Sequence, residues 1–406
     1  MPFAALALDK LRHARWLDRE RIVAWCAILA VLETALLLGI ALWQHGAFGP
    51  VDPRSSDFLS FYAAGKLVLS GTPALAYDQS AHFMAEQAIG GAGVPYQFFF
   101  YPPVYLPVCA LLATLPYYPA FILFQLAPLV PFLLIARSIL KMPGLAWLAP
   151  LLAFPAIFWT IGLGQNAFLT AALFGGFTLL LDRKPYTSGV LLGLICYKPH
   201  FGILAPIALI AGNRWRAFAA AALTVAAMVA LSVALFGTGT WFAYIAATLH
   251  ANTVFGSGRI DYAGMVTVFG AERLMGFAAA PAYGLQLIVS LEMVTLVALM
   301  WRRKISAALQ FVTLISATLL AVPVALIYDQ MLLLLAVVWF TGGTRRSGFL
   351  PWERLALATI YLLALLTWPV GTVWHLPLGP IPPSILLILC VRRLWRSLEL
   401  RTRRTA

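Results

Sequence analysis

The chain has 406 residues, of which 62% are hydrophobic and only 11% charged, against roughly 25% charged in ordinary soluble domains. Several apolar runs approach or exceed the ~18 residues needed to cross about 30 Å of hydrocarbon, and the mean hydropathy is +0.88, which excludes a soluble enzyme. The formal net charge of +13 is clustered in short segments, as cytoplasmic loops retain Lys and Arg, so it does not point to nucleic acid.

In chain order, a basic arm (residues 1–22, with Lys10, Arg12 and Arg15) precedes a first span, Val23–Trp43. No cleavable leader pattern is present, so that span is expected to remain as an anchor. Residues 44–97 then form a first outer connection. Within it Phe58, Phe61, Tyr62, Gly65 and Leu69 recur at helical spacing, ended by Ser70-Gly71-Thr72-Pro73, and a second short helix is expected over Gln79–Ile89. Both read as amphipathic helices on the outer membrane surface.

The proline-rich Tyr101–Pro107 leads into a short apolar run ending at Leu115, followed by spans at Pro119–Leu140, Trp147–Ile161 and Phe168–Leu181. Tyr186–Gly212 is interrupted by Lys198-Pro199-His200. Ala217–Phe236 is an uninterrupted span, and 237–279 forms a second outer connection. Pro281–Trp301, Ile305–Val322, Leu326–Phe340, Trp352–Val370 and Ile381–Val391 complete about 12 transmembrane helices, before a basic tail at 396–406. Residues 23–395 thus read as a single transmembrane domain. If Pro102–Leu115 dips and returns, and 186–212 is a pair of short helices meeting at Lys198, every basic cluster falls inside. Both termini are then cytoplasmic.

That arrangement gathers Asp57, Tyr101, Gln165-Asn166, Lys198, His200, His250-Asn252 and Tyr328-Asp329 on the outer side. Ionisable groups at membrane depth are costly and mark function. Asp57, partly desolvated at a membrane edge, is a candidate general base, although Ser55-Ser56-Asp57 also suits a helix cap. Lys198 is placed to meet a phosphate, the competing uses being snorkelling or a structural ion pair. Gln165 and Asn166 can bond sugar hydroxyls or form a capped turn. Asp329 can bind a hydroxyl or neutralise Lys198. Tyr101 can stack on a sugar or join an interfacial belt. His250, with Asn252 and Arg259, is a loop histidine whose commonest use is solvated surface. The four cysteines, Cys26, Cys109, Cys196 and Cys390, lie in apolar segments without zinc-type spacing, so neither a metal site nor a disulfide framework is expected. No phosphate-cradling glycine loop, His-Glu-x-x-His or Gly-x-Ser-x-Gly occurs, and no soluble domain is available for a nucleotide sugar.

The order Asp57-Phe58, Tyr62-Ala63-Ala64-Gly65, Tyr101-Pro102-Pro103, Gly164-Gln165-Asn166 and Lys198-Pro199-His200 resembles glycosyltransferase family 87. The likeness is best over about 50–260, and Tyr328-Asp329 fits beyond it. The resemblance implies a GT-C-like fold and a polyprenyl-phosphate sugar donor, with mannose the expected hexose. It implies inverting transfer without a nucleotide or cofactor, to a glycolipid or glycan acceptor at the extracytoplasmic face of the cell membrane. Carried over, Asp57 is the base, Lys198 holds the leaving phosphate with His200 and Tyr101 beside it, and Gln165 and Asn166 line the cavity, with Tyr328, Asp329 and His250 toward sugar or acceptor. Asp57 is followed by Phe58 and not by a second acid, which puts a divalent metal in doubt. The competing readings are a lipid or sugar transporter or flippase, for which internal repeats would speak, and a structural envelope partner, for which Asp57 and Lys198 would lie more than about 15 Å apart.

Overall fold

The computed structural model describes residues 2–42, 56–256, 260–303 and 305–405. Those residues form eighteen α-helices: α1 Pro2–His13, α2 Arg19–Leu42, α3 Phe58–Leu69, α4 Gln79–Gly90, α5 Leu106–Ala113, α6 Tyr117–Leu140, α7 Leu148–Leu152, α8 Pro155–Gly162, α9 Ala167–Leu180, α10 Pro185–Gly193, α11 Ala205–Ala211, α12 Trp215–Gly256, α13 Val268–Leu274, α14 Ala279–Arg302, α15 Ala307–Ala321, α16 Met331–Ser347, α17 Glu353–Trp374 and α18 Ile381–Thr405. Six helical stretches are long and apolar enough to cross a membrane, and six shorter apolar ones accompany them. The protein is therefore an all-α polytopic membrane protein.

Burial separates the centre from the rim. The 327–345 stretch that takes in most of α16 is 78% buried, whereas the more apolar α2 is 6% buried. An all-round apolar helix needs an apolar environment on every side. For α16 that environment is protein, chiefly α15 and α9; for α2 it is lipid.

Prolines set most of the breaks. The expected Trp147–Ile161 span is instead two short helices, because Pro155 lacks an N–H and holds Phe154 extended (φ −75, ψ 125). The 186–212 segment breaks where expected: Lys198 (φ −125, ψ 70) precedes Pro199, and 3₁₀ turns at Leu194–Tyr197 and Pro199–Gly202 flank it. The second outer connection departs further from expectation. The helix of the 217–236 span kinks at Gly237 and continues as α12 to Gly256. Trp241 Nε1 donates to Ser232 Oγ at 3.1 Å across that kink, and Tyr244 packs on Tyr77 with ring centroids 5.6 Å apart. The first part of the expected 237–279 connection, 237–256, is therefore helix and not loop.

α3 also differs from a surface-lying helix, since Phe58 through Gly65 are all buried. Gly65 makes this possible: a Cβ there would sit 2.1 Å from the Cys109 carbonyl oxygen, so only glycine lets α3 cross α5 backbone to backbone. Phe58, Phe61 and Tyr62 then mesh with Tyr105, Tyr117 and Phe124. This inserted helix presents Asp57 at its N-terminus.

Candidate active site

Asp57 lies just before α3 but does not cap it with its side chain. Its backbone N–H donates to the Leu163 carbonyl at 3.0 Å, and its Oδ2 accepts a 2.7 Å bond from Gln165 Nε2. The 163–166 turn is therefore docked against the 56–58 turn. Gly164 (φ +65) is the contact point; a Cβ there would lie 2.7 Å from Ser56 Oγ and 3.1 Å from the Phe58 nitrogen. Gly164→Ala adds a side chain in a left-handed conformation and separates the two turns. We expect it to displace Asp57 and to cost the activity that depends on that carboxylate, while the purified protein still elutes as a folded species on size exclusion.

Gln165 is almost fully buried and is the junction of the cluster. Its Oε1 accepts from Tyr101 Oη at 3.3 Å and from the Asn166 N–H at 3.2 Å. Asn166 Nδ2 reaches Tyr105 Oη at 3.4 Å, and Gln125 Nε2 lies 3.5 Å from the Gln165 carbonyl. Tyr101, Tyr105 and Tyr197 form an aromatic pile with centroid separations of 5.0 and 4.9 Å. The Tyr197 and Thr170 hydroxyls are 2.7 Å apart. Tyr101 thus belongs to the interior of the cluster and not to an interfacial belt.

Lys198 follows Tyr197 and is buried. Its Nζ donates to Asp329 Oδ1 at 2.9 Å and sits over the rings of Tyr328 and Phe201, 5.2 and 5.5 Å from their centroids. Asp329 Oδ2 accepts from the Leu326 N–H at 3.1 Å, which fixes the carboxylate against its own turn. Of the two uses open to Asp329, it makes the ion pair with Lys198. His200 is half-buried with its ring 4.3 Å from that of Phe201, and none of the described hydrogen bonds of the cluster reaches it. The side chains of His250 and Asn252, and all of Arg259, lie outside the described residues.

Burial raises the Asp57 carboxyl above the ordinary carboxylate range, opposed by the Gln165 bond and by the positive charge of Lys198. A second buried pair lies behind α3. His82 Nε2 is 3.1 Å from the Ser60 carbonyl, and its Nδ1 is 3.5 Å from Glu86 Oε1. Glu86 Oε2 accepts from the Gln97 N–H at 3.0 Å. Burial pushes Glu86 up to about 8, with the Asp57 charge adding to the rise, and pushes His82 down to about 4. This pair ties α3 and α4 to the strand-like approach to Tyr101.

Sequence reasoning missed Tyr105, Tyr197, Gln125, Gln330 and the His82–Glu86 pair. Gln125 carried a usable signal, as a lone amide inside an apolar span, and His82 and Glu86 share one helix face at i,i+4. Gln330 is 1% exposed, and neither of its amide atoms has a hydrogen-bond partner among the described residues. A groove of about 650 Å³ lined by residues of α13, α14, α15 and α18, Glu292 and Arg392 among them, contains none of the site residues.

A family model described as glycosyltransferase family 87 matches residues 99–328, more than half of the chain. The chain belongs to glycosyltransferase family 87. No curated protein matches it, and no solved structure does. The family 87 match takes in Tyr101, Gln165, Asn166, Lys198, His200, His250 and Tyr328. It begins after Asp57 and stops one residue short of Asp329, so the matched region lies further toward the C-terminus than the 50–260 expected. The protein is a membrane glycosyltransferase, and its reaction needs a sugar donor and an acceptor at the bilayer.

Proposed function

We propose that this family 87 enzyme transfers a hexose, mannose in the first instance, from a polyprenyl phosphate to an acceptor hydroxyl on the extracytoplasmic side of the membrane. The observation that supports this reading is that Gln165, bonded to Asp57, is joined through Tyr101 and Tyr105 to Tyr197, the residue before Lys198, which in turn pairs with Asp329. Asp57 takes the acceptor proton. The acceptor oxygen forms a bond to C1 of the sugar as the C1–O bond to phosphate breaks, so the anomeric configuration inverts and polyprenyl phosphate departs. Lys198 has three N–H donors, one of them bonded to Asp329; the others are available to the departing phosphate, where charge develops.

Burial serves both groups. Removal from water raises the basicity of Asp57, and in a low-dielectric site the Lys198 charge acts more strongly on a developing anion. Asn166 Oδ1 and the Gln330 amide are buried without partners among the described residues, an unused bonding capacity that suits a hydroxyl-rich substrate. The family match argues against a transporter or a purely structural envelope partner. Purified protein in liposomes, given polyprenyl-phosphate mannose and a glycolipid extract, should release polyprenyl phosphate and mannosylate an extract component. Absence of both with the mannosyl and other hexosyl donors would overturn the donor class.

A further inference from the structure

We propose that Gln165 is a positioning residue for Asp57: a one-way amide, locked by Tyr101 and Asn166, that occupies Oδ2 and leaves Oδ1 as the oxygen that takes the proton. This rests on the reading of Asp57 as the base.

The direction of the amide follows from its neighbours. A backbone N–H can only donate, so the atom of Gln165 that meets Asn166 N at 3.2 Å must be its oxygen. Tyr101 Oη donates to that same oxygen at 3.3 Å. The NH₂ group must then face Asp57, and it does, at 2.7 Å from Oδ2. Flipping the amide would break the bonds to Asn166 N and to Asp57 Oδ2 and set an oxygen against a carboxylate oxygen. The backbone closes the arrangement, because Asp57 N is held on Leu163 O at 3.0 Å, two residues before Gln165. Asp57 is therefore tied to one turn through its main chain and through one carboxylate oxygen. No described hydrogen bond reaches Oδ1, and the residue keeps partial exposure.

The arrangement has a chemical consequence. Donation to Oδ2 favours the ionised carboxyl and opposes the effect of burial, so Gln165 moderates the rise in the carboxyl's proton affinity as well as aiming it. Tyr101, whose main-chain carbonyl accepts from Tyr77 Oη at 2.9 Å, passes the rigidity of the aromatic pile to the amide.

The test uses the purified full-length protein and needs no acceptor. An apolar carbodiimide reacts with protonated carboxyls, and labelling of Asp57 measured by peptide mass spectrometry against pH reports its titration. Gln165→Leu should move the labelling midpoint up by about one pH unit, as expected for loss of a bond to a charged group. Gln165→Glu, nearly the same shape, should move it further, because its ionised form repels Asp57. A structural role alone would lower yield or melting temperature in both variants without ordering their midpoints. Midpoints equal to that of the unsubstituted protein would overturn the positioning role. Failure of the base reading is separately visible, as an Asp57→Asn protein that retains transfer whatever the labelling shows. If Gln165→Leu does not fold, the near-isosteric Gln165→Glu still gives the shift.

Discussion

Asp57→Asn is expected to lower glycosyl transfer by roughly 10²–10⁴-fold, the usual contribution of a positioned general base, with little change in stability. Asparagine keeps the size of the side chain, and its oxygen can still accept the 2.7 Å bond from Gln165 Nε2. The main-chain bond to Leu163 is untouched. What disappears is the capacity to take a proton. The measurement is kcat for release of polyprenyl phosphate, alongside a melting curve. The pH dependence has a definite sign. The base works only when ionised, and burial raises its pKa, so activity should fall as pH drops through that raised value, with the acid limb displaced above the ordinary carboxylate range. An Asn variant with full activity, or an acid limb at the normal position, would remove Asp57 from the chemistry.

Removing one partner of the Lys198–Asp329 pair should have the largest effect on stability. Both side chains are nearly inaccessible, 6% and 4% exposed, and 2.9 Å apart. Breaking such a pair leaves an uncompensated buried charge, at a cost of about 3–5 kcal/mol. Asp329→Ala should therefore lower the melting temperature sharply, and it also removes the acceptor of the Leu326 N–H. The double variant Lys198→Met with Asp329→Asn separates structure from chemistry. It deletes both charges and retains an oxygen for Leu326, so it should recover most of the stability. Transfer should stay depressed by roughly 10²-fold, the cost of losing one donor to a developing anion. Recovery of activity together with stability would make the pair purely structural and require another group to meet the phosphate.

Much of the site could be read in the linear order of polar residues. Lys198 stood out because an ammonium next to Pro199 in an apolar segment has to be compensated, and Asp57 because few acids lie beside a membrane span. The break at Pro199 was equally legible, since a missing N–H acts locally. What could not be read was which polar group meets which. Asp329 offered a hydroxyl ligand or an ion-pair partner, and the choice depends on the turn that leads into the central α16 bringing it to Lys198, 131 residues away. Gln165 read as a cavity-lining amide; the structure gives its amide to Asp57, because Gly164 lets two remote turns close on each other. The helical state of 237–256 was hidden for a related reason. Nothing local to 237–256 separates a connection from a continued helix, and contacts with Tyr77 and Ser232 decide between them.

By itself, the sequence determined the membrane environment, the helical class, the family and the pool of polar side chains, because hydrophobic run length, proline position and motif order act within one segment. Only the tertiary structure decided that Asp57 is held rather than capping, that Lys198 is paired, and that α3 is inserted among its neighbours. Each of those depends on contacts between segments separated by dozens of residues, and close packing at Gly164 and Gly65 settles the first and the last.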